Sequence, residues 1–277
     1  MRQIDKSQLD NSYKLSDQDI QTFRDQGFIK LKNVLSAEML EYYGDEITKK
    51  VLELNTLSTP IEERDTYHQA FLQITNLWQK SEVDKEFVIG KRLGRIASEL
   101  MGTSGVRMYH DQALYKEAGG GFTPWHADQH YWPLASELCC TAWIPLQATS
   151  LAMGPLAFSV KSQNLSIGRD IAISDESEAI IKKNIEHAEL AYSVEPFDLG
   201  EVSFHYGWTF HNAGPNTTAT PRRVMTIIYM DEQMRLQEPA NENQMIDRDV
   251  FCPGIEVGEV ISSPLNPVIY SARRLRL

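Results

Sequence analysis

The chain has 277 residues, 42% of them hydrophobic, and a formal net charge of -11. That supplies enough apolar material for a full core, while the acidic balance argues against a nucleic-acid binder, whose affinity rests on neutralising phosphates. The basic pairs Arg222-Arg223 and Arg273-Arg274 are too short to reverse this.

The N-terminal run Met1-Arg2-Gln3-Ile4-Asp5-Lys6 lacks the apolar stretch of a signal peptide, and no window reaches ~18 uninterrupted apolar residues. Three cysteines, Cys139, Cys140 and Cys252, are odd in number and two are adjacent, which makes a poor disulfide framework. These features predict a cytoplasmic protein with reduced thiols and no membrane partner. No linker or internal repeat divides the chain, so a single domain is expected.

The first hundred residues read as helical. Ser16 with Asp19 resembles a capping box before the amphipathic stretch 20–27, Gly27 ends it, and Phe28-Ile29-Lys30-Leu31 alternates like a short strand. Ser36 caps a longer helix whose apolar positions Met39, Leu40, Tyr43, Ile47, Val51 and Leu54 recur at helical spacing. Residues 85–101 predict one further helix, with Phe87, Leu93, Ile96, Ala97 and Leu100 on its apolar side. From residue 105 short β-prone runs separated by Gly and Pro take over: 106–116, 125–131, 141–146, 156–160, 202–205, 224–230 and 268–270. A helical insertion opening on Ser174 interrupts them and reads either as a lid or as a solvated charged helix. Helices first and strands afterwards predict an α+β domain, with a jelly-roll core, a double-stranded β-helix of the cupin type, buttressed by N-terminal helices. The expected limits are 1–104 for the helical part, 105–232 for the core with an insertion at 164–195, and 233–277 for a C-terminal extension.

The richest segment is Thr123-Pro124-Trp125-His126-Ala127-Asp128-Gln129-His130. On a strand, residues i and i+2 share a face, so His126 and Asp128 could ligate one ion together; a surface strand with ordinary polar residues would look the same. The run from Gly200 to Arg223 carries His205, His211 and Arg222, and it raises the case for a metal. Two imidazoles and one carboxylate on one face of an octahedron, with open positions left over, form the facial triad of non-haem Fe(II) oxygenases. A fixed arginine nearby would bind a carboxylate through two parallel hydrogen bonds.

With these motifs the chain resembles the phytanoyl-CoA dioxygenase family of Fe(II)/2-oxoglutarate oxygenases. The resemblance rests on His126-Ala127-Asp128, on His211-Asn212-Ala213-Gly214-Pro215-Asn216 with Arg222, and on Thr141-Ala142-Trp143-Ile144-Pro145-Leu146. It also includes Gly154-Pro155-Leu156-Ala157-Phe158, the strand Asp111 to Lys116, and Asp25-Gln26-Gly27-Phe28, so that it spans roughly residues 16–232. One departure is Val160-Lys161-Ser162-Gln163, where the family often has a Pro-Gly-Ser-His turn. The resemblance implies Fe(II) held by His126, Asp128 and His211, with 2-oxoglutarate and O2 as cosubstrates. It places the far carboxylate of 2-oxoglutarate on Arg222, with Gln112, Trp143 and Lys116 lining that pocket. It further implies release of succinate and CO2, and Asp128, where halogenating relatives carry a small residue, favours hydroxylation.

His110, Trp125, His130, Trp132 and Trp208 are candidates for the substrate side of a small-molecule site, and Tyr131, Tyr206 and Phe210 flank the ligands as well. A third ligand at His130 would stretch over about 13 Å of strand, too far for one ion. His205 reads as a packed strand residue, while His68 and His187 carry no visible chemistry. Two other classes stay in view: a non-catalytic jelly-roll binder, which does not need all four site residues, and a zinc-dependent hydrolase, which gives Arg222 no role.

Overall fold

The computed structural model describes residues 4–273; Met1 to Gln3 and the second half of the Arg273-Arg274 pair lie outside them. Ser16 and Asp19 form the expected capping box, and α1 (Asp17–Gln26) ends at Gly27 in the left-handed conformation before β1 (Phe28–Leu31). Ser36 caps α2 (Ala37–Leu54), whose Met39, Leu40, Tyr43, Ile47 and Val51 are buried. The short α3 (Thr66–Ala70) and strand β2 (Leu72–Thr75) follow, neither anticipated. The helix expected over 85–101 is two helices, α4 (Glu82–Val88) and α5 (Lys91–Met101). Gly90 caps the second, with Leu9 packed so close that a side chain there would press on it. Propensity alone did not reveal this break, because Gly is tolerated inside helical patterns.

The β region comprises β3 (Gly105–Lys116), β4 (Thr123–His126), β5 (Cys139–Pro145) and β6 (Leu156–Ser159). After α6 (Asp175–His187) come β7 (Tyr192–Val194), β8 (Val202–Tyr206), β9 (His211–Ala213) and β10 (Arg222–Asp231); α7 (Glu242–Phe251) and β11 (Val268–Ser271) complete the described chain. The large sheet runs β1-β8-β5-β10-β3-β11, with β2 also on β3, and the small one runs β4-β9-β6-β7; every pairing is antiparallel. The N-terminal part therefore lends β1 and β2 to the sheet, and the C-terminal extension lends β11.

Alternation along the large sheet divides its two faces. Ala113, Tyr115, Cys140, Ala142, Ile144, Phe204, Met225, Ile227 and Tyr229 join the apolar faces of α1, α2 and α5 in one core. Their neighbours His110, Gln112, Thr141, Trp143, His205, Arg222 and Thr226 point to the other side, into a cavity closed by the small sheet. The α+β jelly-roll class is as expected. Cys139, Cys140 and Cys252 are buried and unpaired, and no helix among the described residues is long and apolar enough to cross a membrane.

One glycine is dictated by geometry. Gly154 has φ +67°, and a Cβ on it would collide with the carbonyl oxygen of Gly214. Gly154→Ala should therefore cost on the order of 2 kcal/mol or more, from the left-handed backbone and the clash together. Thermal unfolding checks this; a melting temperature equal to that of the parent would refute it.

Candidate active site

Backbone register brings the two histidines together. His126, the last residue of β4, lies directly across from His211, the first of β9, and their rings are 4.1 Å apart. Each Nδ1 sits against a backbone carbonyl, that of Pro124 at 2.8 Å and that of Thr209 at 2.9 Å. A carbonyl can only accept, so both Nδ1 atoms carry the proton and both Nε2 atoms present lone pairs. Those Nε2 atoms lie 3.6 Å (His126) and 3.4 Å (His211) from Oδ1 of Asp128. Among the described residues these three are the group whose donor atoms all fall within 4.8 Å of one another. Ligands ~2.1 Å from one ion and roughly at right angles sit ~3 Å apart, so a small contraction about a metal satisfies the geometry.

Asp128 does not arrive there as an alternating strand residue. The strand expected over 125–131 ends at His126, and Asp128 opens a 3-10 turn that runs to His130. This overturns the same-face argument, and with it the reason for setting His130 aside. His130 is instead turned away, its Nδ1 on the carbonyl of Arg169 and its backbone carbonyl held by Gln244. The second oxygen of Asp128 is fixed from the large sheet: Thr141 donates to Oδ2 at 2.8 Å, and His205 Nε2 is 3.2 Å away. Burial works to raise the Asp128 carboxyl, but its histidine contacts, with the His205 Nε2 hydrogen bond to Oδ2 among them, keep it well below the usual carboxylate range. Burial pushes His126 down to about 3, which keeps its ring neutral. His205 is thus both a packed strand residue, 1% exposed, and a neighbour of the triad, a position that strand patterning gave no sign of.

Arg222 begins β10 on the opposite wall. Its Nη1 donates to the carbonyl of Gly154, its guanidinium carbon lies 5.5 Å from the centre of the Trp143 ring, and its buried Nε has no hydrogen-bond partner. Burial lowers it to about 10, still a cation at neutral pH. A buried cation with an unmet donor suits an incoming anion. Gln112 lines the same cavity and accepts from Gln73. Lys116 does not line it: fully buried, its Nζ donates to the carbonyls of Gly121 at 2.5 Å and Gly214 at 2.9 Å and lies 3.3 Å from Thr123 Oγ1, and burial, then the nearby Arg222, lower it to about 6.

The cavity holds about 300 Å³ and has aromatic walls. His110 and Trp132 line it, as proposed from the sequence, and the His110 ring stacks on Phe251 at 4.2 Å; burial lowers His110 to about 4. Trp125 and Trp208 do not line it. Trp125 packs with Ile181, Ile185 and Phe210 under α6, and Trp208 lies beneath the Arg169 guanidinium. The insertion helix therefore buttresses β4, and Glu178 accepts the Trp125 backbone N–H at 2.9 Å. Sequence reasoning missed Tyr67 of α3, Phe71 just after it and Gln73 of β2, and Ile246, Asp247, Val250 and Phe251 from α7. The Asn241 cap was a readable signal for α7; the four residues of β2 offered little.

The family model for phytanoyl-CoA dioxygenase (PhyH) matches residues 23–224, a span that holds His126, Asp128, His211 and Arg222. The chain belongs to the phytanoyl-CoA dioxygenase family. Consistent with membership of this family, the chain is 21% identical over 225 residues to a probable alpha-ketoglutarate-dependent hypophosphite dioxygenase of Stutzerimonas stutzeri, covering 75% of this chain and 76% of that protein. Among solved structures, the carbocyclase SnoK from nogalamycin biosynthesis superposes with a TM-score of 0.75 at 21% identity, over 92% of this chain and 97% of that one. The epimerase SnoN, in complex with Fe3+, alpha ketoglutarate and nogalamycin RO, gives 0.76 at 20% identity, over 92% and 98%. EctD from S. alaskensis, with 2-oxoglutarate and 5-hydroxyectoine, gives 0.65 at 19% identity, over 81% and 79%. The solved structures share their fold with most of this chain.

Proposed function

We propose that this protein is an Fe(II)- and 2-oxoglutarate-dependent dioxygenase that hydroxylates an unactivated C–H bond of a small molecule. The observation that carries the reading is the convergence of three donor atoms beside a buried arginine with an unmet N–H, in one cavity. His126, Asp128 and His211 would hold the iron, and Arg222 the far carboxylate of 2-oxoglutarate, with Trp143, Gln112 and Thr226 beside it. Bound together, Fe(II), 2-oxoglutarate and dioxygen supply oxidative decarboxylation to succinate and CO2 coupled to C–H hydroxylation.

The protein's own part is positioning. The Nδ1–H bonds to Pro124 and Thr209 fix both imidazole rings, and Thr141 with His205 pins one oxygen of Asp128 so that the other is presented. The aromatic wall keeps water from the reacting centre. The chain reads as one such domain, with its core at about 105–232, an insertion at about 164–195 and an extension at 233–277 whose α7 walls the cavity. The buried, unpaired Cys139, Cys140 and Cys252 support a cytoplasmic setting, where thiols stay reduced.

Anaerobic titration with Fe(II) and 2-oxoglutarate tests the reading. A weak visible charge-transfer band should develop and saturate, and its absence from metal-loaded protein would count decisively against it. Thr141→Val, which removes the hydroxyl bound to Asp128, should weaken iron affinity by roughly 10–100-fold. Competition with a chelator measures this, and an affinity equal to that of the parent would remove Thr141 from the site.

A further inference from the structure

The cavity contains a second carboxylate that the dioxygenase reading leaves unused. Asp247 reaches it from α7, on the wall that also carries Ile246, Val250 and Phe251. Its Oδ2 is met by the hydroxyl of the fully buried Tyr109 at 3.3 Å. Among the described residues, no Lys, Arg or His nitrogen lies within ion-pair distance of it. The cavity is thus polarised. Arg222 is the cation of the cosubstrate end, and no basic side chain other than the histidines lines the rest. Asp247 and Asp128 both line this one chamber, with Tyr67 also on its wall.

We propose that Asp247 is the recognition group for a basic nitrogen, so that the substrates of this enzyme are small amines with an apolar body. An unpaired carboxylate in an apolar wall is costly to ionise, and burial lifts this one to about 7. An ammonium group offsets that cost by supplying the opposite charge, whereas a neutral hydroxyl supplies one hydrogen bond. Phe71, Trp132 and Phe251 give the cavity an aromatic lining, a setting that suits a cation better than a carboxylate or phosphate. The net charge of -11 draws cations toward the protein and slows anions. The inference rests on the dioxygenase reading only in taking this cavity as the substrate chamber.

The test uses three matched probes, cyclohexylmethylamine, cyclohexylmethanol and cyclohexanecarboxylate, titrated by calorimetry into metal-free protein and into anaerobic protein loaded with Fe(II) and 2-oxoglutarate. The amine should bind at least about ten-fold more tightly than the alcohol, and the carboxylate should not bind near α7. Asp247→Asn should erase the preference for the amine while leaving the melting temperature near that of the parent. Asp249→Asn, on the same helix with its carboxylate against Arg248 in solvent, should leave the preference unchanged. Equal binding of amine and alcohol, no binding of any probe, or a preference that survives Asp247→Asn overturns the proposal. Failure of the charge-transfer band would sink the dioxygenase reading alone, because the comparison on metal-free protein stands without it.

Discussion

His211→Ala is expected to remove iron binding, with affinity falling by more than the roughly 100-fold that loss of a supporting hydrogen bond to a ligand costs. His211 is the first residue of β9, directly opposite His126, and it contributes one of the three converging donor atoms. With two donors left, Asp128 and His126 cannot define one face of an octahedron. The fold should persist, because the ring projects into a cavity rather than into the core on the helical side of the large sheet. His130→Ala is the informative contrast. That ring is buried and close in sequence, yet its Nδ1 is engaged by Arg169, so iron affinity should stay near the parent value while some stability is lost. Chelator competition and thermal unfolding read the two effects separately, and normal iron affinity in His211→Ala would end the ligand assignment.

The second large effect is expected at Arg222. Two hydrogen bonds to a charged carboxylate, each worth about 1.5–3 kcal/mol, correspond to a loss of roughly 10² to 10⁴ in 2-oxoglutarate affinity on Arg222→Ala. Iron affinity should change little, because Arg222 belongs to the large sheet while the histidines belong to the small one. Arg222→Lys should fall between, since an ammonium cannot form the parallel pair. Linkage provides a further readout. At a 2-oxoglutarate concentration of about 100 Kd the parent protein should gain about 2.7 kcal/mol of stability, and at that concentration Arg222→Ala should gain little. Equal loss of iron and 2-oxoglutarate binding would assign Arg222 to structure instead.

The local signals that were legible share one property: each is complete within a few residues. The Ser16–Asp19 capping box, the Ser36 cap and the apolar spacing of α2 are satisfied by the chain's own neighbours, so they appear in the structure as they read in the sequence. The alternation of β3, β5 and β10 likewise announces which residues face the cavity and which face the helices. The segment after His126 broke that logic. The pattern 125–131 alternates like a strand, but the chain turns at Asp128, and the turn rather than strand periodicity carries the carboxylate to the histidines. No short-range signal distinguishes those two outcomes, because the 3-10 turn is stabilised by partners far away, such as the carbonyl of Gly207 bound to the Gln129 N–H.

By itself the sequence determined that this is an acidic α+β protein with buttressing helices. It also offered His126, Asp128, His211 and Arg222 as candidates, because residue types and short motifs are local properties, although strand periodicity misplaced Asp128. Only the tertiary structure decided what surrounds that set. It brought His205 and Thr141 against Asp128, and it turned Trp125 and Trp208 under α6 and away from the cavity. It spent Lys116 on backbone carbonyls. It also folded the C-terminal extension back so that Asp247 and Phe251 form a wall beside the proposed iron site. Most of these are meetings between segments distant along the chain, 77 residues apart for His205 and Asp128 and 98 for Lys116 and Gly214, governed by sheet pairing and packing, and they leave no trace in the spacing of residues along the chain.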